Sequence, residues 1–253
     1  GGDPITVEYV VTADDLDANG GNGIVDVTIP NDADDGITAD GEYSVTATVT
    51  DAAGNVSAPS DAASFTVDTT APDTPLAAPV ITDNVDGNGD LLDPAETIAD
   101  QGITNDNTPG VVIPAGELAN GTPTLLVDGE AVPATLVGNT LTPDTPLADD
   151  TYDISYTITD AAGNVSEPSP ATTITVDTVA PGGEVGAAIA APVVVIDDEA
   201  DDGVNAEEFA DGVQTQVTLP TGTVAGDTVT LTVTPDGGDP ITVEYVVTAD
   251  DLD

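Results

Sequence analysis

Internal repetition is the feature of this sequence that most restricts its fold. The heptapeptide DAAGNVS occurs at residues 51–57 and again at residues 160–166, an offset of 109 residues. TVDTTAP, which begins at Thr66, returns at the same offset as TVDTVAP, which begins at Thr175. Because self-similarity at a fixed offset is typical of repeat architectures, two independent pairs with one offset predict tandem domains.

The two ends of the chain extend this pattern. The seventeen residues GGDPITVEYVVTADDLD stand at 1–17 and again at 237–253, an offset of 236 residues, which leaves 127 for a second, longer unit. We therefore predict the C-terminal part of a longer repeat at 1–68, a complete repeat at 69–177 and the N-terminal part of the longer repeat at 178–253. A recombination duplicate inside one irregular domain is the alternative.

Short alternating runs of apolar and polar residues predict β-strands. In YDISYTIT, Tyr152, Ile154 and Tyr156 share one face and polar residues occupy the other, as in a half-buried antiparallel strand. Gly, Asp, Asn and Pro separate the runs, and no helical pattern exceeds a turn or two. Further predicted strands begin at Ile5, Gly23, Gly41, Ala63, Pro79, Thr122, Thr172, Ala191, Val213 and Asp227.

This strand density predicts an all-β fold of tandem Ig-like β-sandwich domains. The Cys–Trp–Cys core of antibody domains is absent, because the chain contains no cysteine and no tryptophan. Prolines cluster where one repeat should end and the next begin, at Pro72, Pro75, Pro79, Pro181 and Pro192. Since proline keeps a linker extended and stiff, we expect the domains to form an extended rod.

The charge of the chain excludes several partners. It has 48 acidic residues, no lysine, arginine or histidine, and a formal net charge of -48. Nucleic acid and anionic membranes are excluded, since binding them requires basic side chains. Self-repulsion of this size opposes a compact state, so a divalent cation, salt or a basic partner must supply positive charge. We find no secretion signal and no apolar run long enough to span a membrane.

The segment NVDGNGDLLDPAE has nearly the ligand order of an EF-hand calcium loop. Oxygen-bearing residues stand at its first, third and fifth positions, a glycine at the sixth and an apolar residue at the eighth. One extra residue delays the closing glutamate by one position. Since calcium takes about six to eight oxygen ligands, we predict a calcium site with ligands among Asn84, Asp86, Asn88, Asp90 and Glu96.

A second segment, DDEADDGVNAEE, has a similar order of acids. Its predicted calcium ligands are Asp197, Glu199, Asp201 and Glu208, although Asp202 stands where the glycine should be. Both segments follow a short apolar strand after a linker, and the chain has no other means of neutralising closely packed carboxylates. For each segment, a plain surface turn is the alternative interpretation.

The acids of the repeated DAAGN turns are the remaining candidates. Asp51 and Asp160 open these turns, and each is interpreted either as the acceptor of an Asx-type turn or as a calcium ligand at the tip of a domain. In the second interpretation the ion is shared with Asp68 or Asp177 from the linker. It would then fix the angle between neighbouring domains.

Enzymatic activity is not expected. The chain has no His, Cys or Lys to act as a general base or nucleophile. A carboxylate pair can hydrolyse glycosides, but seven aromatic residues without a tryptophan are too few to line a sugar cleft.

Several motifs together resemble one family. TNDNTP at Thr104, LADDTYDISYTITDAAGNVSEPS at Leu147 and VDTTAP at Val67 are similar to the bacterial Ig-like repeats of giant, type I-secreted adhesins of the RTX and biofilm-associated group. The resemblance implies an extender region, in which stacked sandwiches are stiffened by calcium and hold a binding tip away from the cell. The residues that inherit a calcium-binding role from it are Asp51, Asp68, Asp160 and Asp177.

Two functions follow as expectations. The first is a calcium-stiffened structural spacer at the bacterial surface or in an extracellular filament, with Ca2+ as cofactor and neighbouring repeats as partners. The alternative is a binding module, in which the sandwich itself recognises a glycan or a protein. If separate copies associate, the terminal half-domains are expected to complete one another, because each lacks the strands that the other has.

Overall fold

The computed structural model describes residues 5–17, 24–31, 36–85, 91–183, 190–196 and 212–252. Strands dominate these residues, which confirms the predicted all-β class. The helical elements among them are short: helix α1 at Ala13–Asp17 and 3-10 turns at Glu117–Ala119 and Ala249–Leu252. No helix in the described ranges is long and apolar enough to cross a membrane.

The chain divides into two compact units that interleave along the sequence. The first comprises 1–79, 113–131 and 155–170, and the second comprises 80–112, 132–154 and 171–253. This division follows packing and not chain order, so the predicted repeat boundaries stay a prediction.

The first segment contributes one two-stranded antiparallel sheet. Its strands are β1 at Gly41–Val45 and β2 at Ala63–Val67. Tyr43 lies opposite Phe65, and the two rings stack with their centroids 5.7 Å apart. Alternation places the apolar residues on one face of this sheet and Glu42, Ser44, Ser64 and Thr66 on the other.

The central part of the chain holds two five-stranded sheets. Its strands are β3 Val80–Val85, β4 Leu91–Ile98, β5 Gly102–Thr104, β6 Gly110–Val112, β7 Thr122–Val127, β8 Glu130–Ala131, β9 Ala134–Val137, β10 Thr140–Pro143, β11 Asp150–Thr159 and β12 Thr172–Val176. One sheet has the order β4-β3-β6-β10-β9 and the other the order β5-β12-β11-β7-β8. In the second sheet β5 runs parallel to β12, while the other described pairings are antiparallel.

The hydrophobic core lies in these two sheets. The fully buried side chains include Ile81, Val111, Leu125, Leu141, Ile154, Tyr156, Ile158, Ile174 and Val176. Tyr156 and its neighbours at alternate positions of β11 are buried because they share one face of the strand, as the period of two predicts. Gly121 precedes β7 because a Cβ there would lie 2.1 Å from the Thr159 carbonyl oxygen.

The last part of the chain forms two separate two-stranded sheets. The strands are β13 Val193–Ile196, β14 Thr215–Thr218, β15 Thr228–Val233 and β16 Ile241–Val246. β13 pairs with β14, and β15 pairs with β16, both antiparallel. Two-stranded sheets are only marginally stable by themselves, so these segments depend on further packing for their stability.

The structure differs from the sequence-based expectations at three places. Residues 5–12 and 24–31, predicted as strands, are not in strands. The predicted calcium loop from Asn84 to Glu96 begins and ends inside a β-hairpin, because β4 pairs with β3 and places Glu96 opposite Asp83. The cause is the apolar pair Ile81 and Ile98, both buried, which continues the sheet through this sequence.

Candidate functional site

The DAAGN turn of the central repeat is built around one carboxylate. Oδ1 of Asp160 accepts hydrogen bonds from the backbone N–H groups of Ala162, Gly163 and Asn164 at 2.8–2.9 Å. Gly163 has φ +98°, a conformation that residues with a Cβ rarely adopt, so the glycine of the motif is required. Of the two interpretations of this aspartate, the structure contains the Asx-type turn. Binding of calcium by Asp51 and Asp160 stays a prediction.

The side chain of Asn164 connects this turn to the linker. Its Nδ2 donates to Oδ2 of Asp160 at 2.9 Å and to the backbone carbonyl of Asp68 at 3.0 Å. Thr70, Pro72, Asp73 and Asn120 line an open surface cavity next to Asp160. The asparagine of DAAGN therefore holds a residue that is 96 positions away in sequence.

The linker after Asp68 makes further contacts to the same repeat. Pro75 is fully buried, and the hydroxyl of the buried Tyr156 donates to the carbonyl of Ala77 at 3.2 Å. Together with Asn164, these contacts attach residues 68–77 at both ends. We call this set, Asp68, Pro75, Ala77, Tyr156 and Asn164, the linker joint.

A second carboxylate orders the start of the linker from the other side. Asp40 accepts hydrogen bonds from the backbone N–H and hydroxyl of Thr69 at 2.9 and 2.8 Å, and from the hydroxyl of Thr70 at 2.7 Å. Oδ1 of Asp68 accepts the N–H of Thr70 at 3.1 Å, which closes an Asx-type turn.

The same arrangement recurs one repeat later. Asp149 accepts hydrogen bonds from the N–H and hydroxyl of Thr178, and Asp177 accepts the N–H of Val179. Each of these residues lies 109 positions after its counterpart. Because both copies form the same contacts, the linker geometry is a property of the repeat sequence.

Sequence reasoning missed Asp40 and Asp149, although a signal existed. Both lie in the pattern Ala-Asp-x-x-Tyr, as ADGEY and ADDTY, at the 109-residue offset. The tyrosine hydroxyls donate back to the carbonyls of Ala39 and Ala148 at 2.7 and 3.1 Å. A tyrosine whose hydroxyl bonds to backbone a few residues upstream is a hallmark of Ig-like sandwiches.

The DAAGN turn of the first segment shows the same local hydrogen bonds. Asp51 accepts the N–H groups of Ala53 and Asn55 at 2.9 and 2.8 Å, and Nδ2 of Asn55 donates to its Oδ2 at 2.8 Å. The described contacts of Asn55 stay within its own turn, whereas Asn164 also reaches the linker. The pair is thus a natural comparison for the role of the linker contact.

The hydrogen bonds of these turns perturb the acids that accept them. The Asn164 side chain, followed by the turn's backbone N–H groups, holds the pKa of Asp160 below its ordinary value. The pKa of Asp51 is lowered in the same way, chiefly by Asn55. The hydroxyls of Thr70 and Thr69 lower the pKa of Asp40.

We predict that the turn at residues 160–164 is lost in acid. Because the folded pKa of Asp160 lies below its ordinary value of 3.8, the turn's contribution to stability is present above that value and disappears as pH falls through the lowered pKa. Amide proton shifts of Gly163 and Asn164, measured by NMR against pH, should therefore titrate below pH 3.8. In Asp160→Asn this titration should be absent. A midpoint above 3.8 would contradict the assignment.

The predicted calcium ligands have different outcomes in the structure. Asn84 lies in β3 and Glu96 in β4, and the N–H of Asn84 donates to the buried Asp106 at 3.2 Å. In the described part of the chain, no three acidic side chains come together as a metal ion would require. Seven predicted ligands lie outside the described residues: Asp86, Asn88, Asp90, Asp197, Glu199, Asp201 and Glu208.

Asp106 is a structural residue that sequence reasoning did not identify. It belongs to the TNDNTP motif and is buried, and its carboxylate accepts hydrogen bonds from the N–H groups of Asn84 and Thr108. Thr104 of the same motif donates to Asp83 at 2.7 Å. The motif therefore attaches the β3–β4 hairpin to the segment that follows β5.

Comparison with known proteins agrees with this geometry. The sequence profile described as bacterial Ig-like domain matches residues 4–69 and 89–178, which together are more than half of the chain. No curated protein shows significant similarity to the sequence.

Proposed function

Because this chain belongs to the bacterial Ig-like domain family, we propose that it is a structural spacer of a bacterial surface adhesin or extracellular filament. Domains of this family are generally non-catalytic structural modules and are typically extracellular or surface-exposed. The spacer would project a binding tip and support adhesion or biofilm formation.

The observation that carries this proposal is the linker joint. A spacer must transmit its direction from one domain to the next, so its linkers must be held and not free. Here the linker is attached by the Asn164 contact to Asp68, by the Tyr156 contact to Ala77 and by the burial of Pro75. The repetition of the Asp40 contacts by Asp149 supports a device that serves each repeat.

Calcium is the second part of the proposal. A chain of net charge -48 with no basic side chain has no internal means of offsetting carboxylate repulsion. A bound calcium ion would supply positive charge shared among several carboxylates. The acids of the described turns already accept hydrogen bonds within their own turns, so we assign calcium mainly to the two predicted loops, from Asn84 and from Asp197.

We predict that Asn164→Ala loosens the linker and Asn55→Ala does not. Both substitutions remove the amide that bonds to the aspartate of the same turn, but only Asn164 also bonds to the carbonyl of Asp68. Nitrogen-15 relaxation of residues 69–71 should report lower order parameters in Asn164→Ala. In Asn55→Ala these values should match the parent chain.

Equal loosening in the two variants would show that the turn, and not its linker contact, orders this segment. Unchanged order parameters in both would remove the observation that carries the spacer function. The binding-module alternative would then gain weight, and a screen for glycan binding by the full chain would test it directly.

A further inference from the structure

The sheet β1–β2 has one polar and one apolar face. Its cross-strand pairs alternate strictly: Tyr43 with Phe65 and Val45 with Ala63 on one face, and polar pairs on the other. Phe65 is 39% exposed, and no third strand joins this sheet in the described part of the chain. A two-stranded sheet with an uncovered apolar face is at most marginally stable in water.

The central repeat shows how this face is normally covered. β11 and β12 pair in the same register as β1 and β2, since Tyr152 lies opposite Ile174 as Tyr43 lies opposite Phe65. Ile174 is fully buried, and so is Ile158, whose counterpart 109 residues earlier is Val49. Val49 is 68% exposed. The first segment thus presents a core face without its core.

The sheet β15–β16 has a matching apolar face. Its cross-strand pairs on that face are Val229 with Tyr245, Leu231 with Val243 and Val233 with Ile241. On the other face Thr230 lies opposite Glu244 and Thr232 opposite Thr242. Val243 is 53% and Tyr245 52% exposed. Here too the described residues supply no third strand.

The sequence states the order in which these two sheets belong together. Residues 237–253, which include β16, are identical to residues 1–17, and residues 1–17 are followed by the segment that contains β1 and β2. In repeat order, β1–β2 therefore come after β16. The two amphipathic sheets are parts of one repeat that this chain carries at opposite ends.

We propose that the apolar face of β15–β16 in one copy of this chain packs on the apolar face of β1–β2 in a second copy and completes a β-sandwich between them. The contact is heterologous, because two different faces meet, so each copy retains one free face of each kind for further copies. Both faces belong to an acidic chain, and charge repulsion between copies opposes the contact. Association should therefore require salt.

Sedimentation velocity of the full chain at two NaCl concentrations tests the proposal. At about 0.01 M salt the Debye length is about 30 Å, and we expect single chains; at about 1 M it is about 3 Å, and we expect dimers and longer assemblies. Val49→Asp and Val243→Asp each damage one of the two faces, so each variant alone should sediment as single chains at high salt.

Mixing the two variants gives the sharpest result. The Val49→Asp chain keeps its β15–β16 face and the Val243→Asp chain keeps its β1–β2 face, so the mixture should form dimers and nothing larger. Val165→Asp is the matched control, because it adds the same charge at a 53% exposed valine outside both faces, and it should assemble like the parent chain.

Three results would overturn the proposal: a parent chain that stays single at high salt, a Val49→Asp chain that assembles like the parent, or a mixture that stays single or grows beyond dimers. The use of NaCl without calcium separates this test from the proposed calcium binding.

Discussion

Replacing Ile158 with alanine is expected to lower the free energy of unfolding by about 2–5 kcal/mol, because the residue is fully buried and truncation leaves a cavity. A loss of this size is a large part of the roughly 5–15 kcal/mol that stabilises a typical domain. Urea unfolding followed by tyrosine fluorescence measures it, since Tyr156 on the same face of β11 is also fully buried.

Val49→Ala is the matched control for this prediction. Val49 and Ile158 have the same backbone contacts: each N–H donates to a serine hydroxyl at 2.9 Å, and each carbonyl accepts the N–H of the same serine, Ser57 or Ser166, at 2.9 Å. Val49 is 68% exposed, so at low salt its truncation should change stability by less than about 0.5 kcal/mol. Similar losses in both variants would mean that the backbone contacts, and not burial, distinguish these positions.

Adding calcium is expected to stabilise the chain by about 2.7 kcal/mol for each site once the ion exceeds its dissociation constant by about a hundredfold. The physical reason is that the ion binds only the folded arrangement, while acids about 4 Å apart repel by about 1 kcal/mol per pair even in water. Calorimetric titration should show uptake of several ions, and the melting temperature should rise with calcium and return to its starting value in chelator.

Asp86→Ala and Glu208→Ala test the assignment to the two predicted loops. Each should reduce the calcium-dependent rise in melting temperature and leave the value in chelator nearly unchanged. Asp239→Ala removes one exposed negative charge outside both loops and should behave like the parent chain in calcium. No heat of binding at millimolar calcium would refute the cofactor, and an equal loss in chelator would make the mutated residue structural.

Repetition and alternation were sufficient to predict the class of fold and many of the strands. The runs beginning at Gly41, Ala63, Thr122, Asp150 and Thr172 all contain strands in the structure. Their side chains alternate between two environments, and this period of two is a local property that the sequence displays directly.

The contacts of the linker were not predictable in the same way. Asp40 meets Thr69, which is 29 positions away, because the register of Gly41 opposite Val67 brings the two chain segments together. Asn164 meets Asp68 across 96 positions. Strand register and packing determine such pairs, and neither follows from the spacing of acids along the chain. For the same reason, the spacing of acids from Asn84 did not reveal the hairpin that contains Glu96.

The duplicated seventeen residues separate what sequence alone determines from what tertiary structure decides. In both copies a tyrosine hydroxyl and a threonine N–H and hydroxyl bond to one aspartate, Asp15 in the first copy and Asp251 in the second, next to a short helical turn. These contacts span at most six positions, so identical sequence produces them twice. The strand is different: residues 241–246 form β16 because β15 pairs with them, whereas residues 5–10, with the same sequence, have no strand partner in the described part of the chain. A strand needs a neighbour to bond its backbone, and only the tertiary structure supplies one.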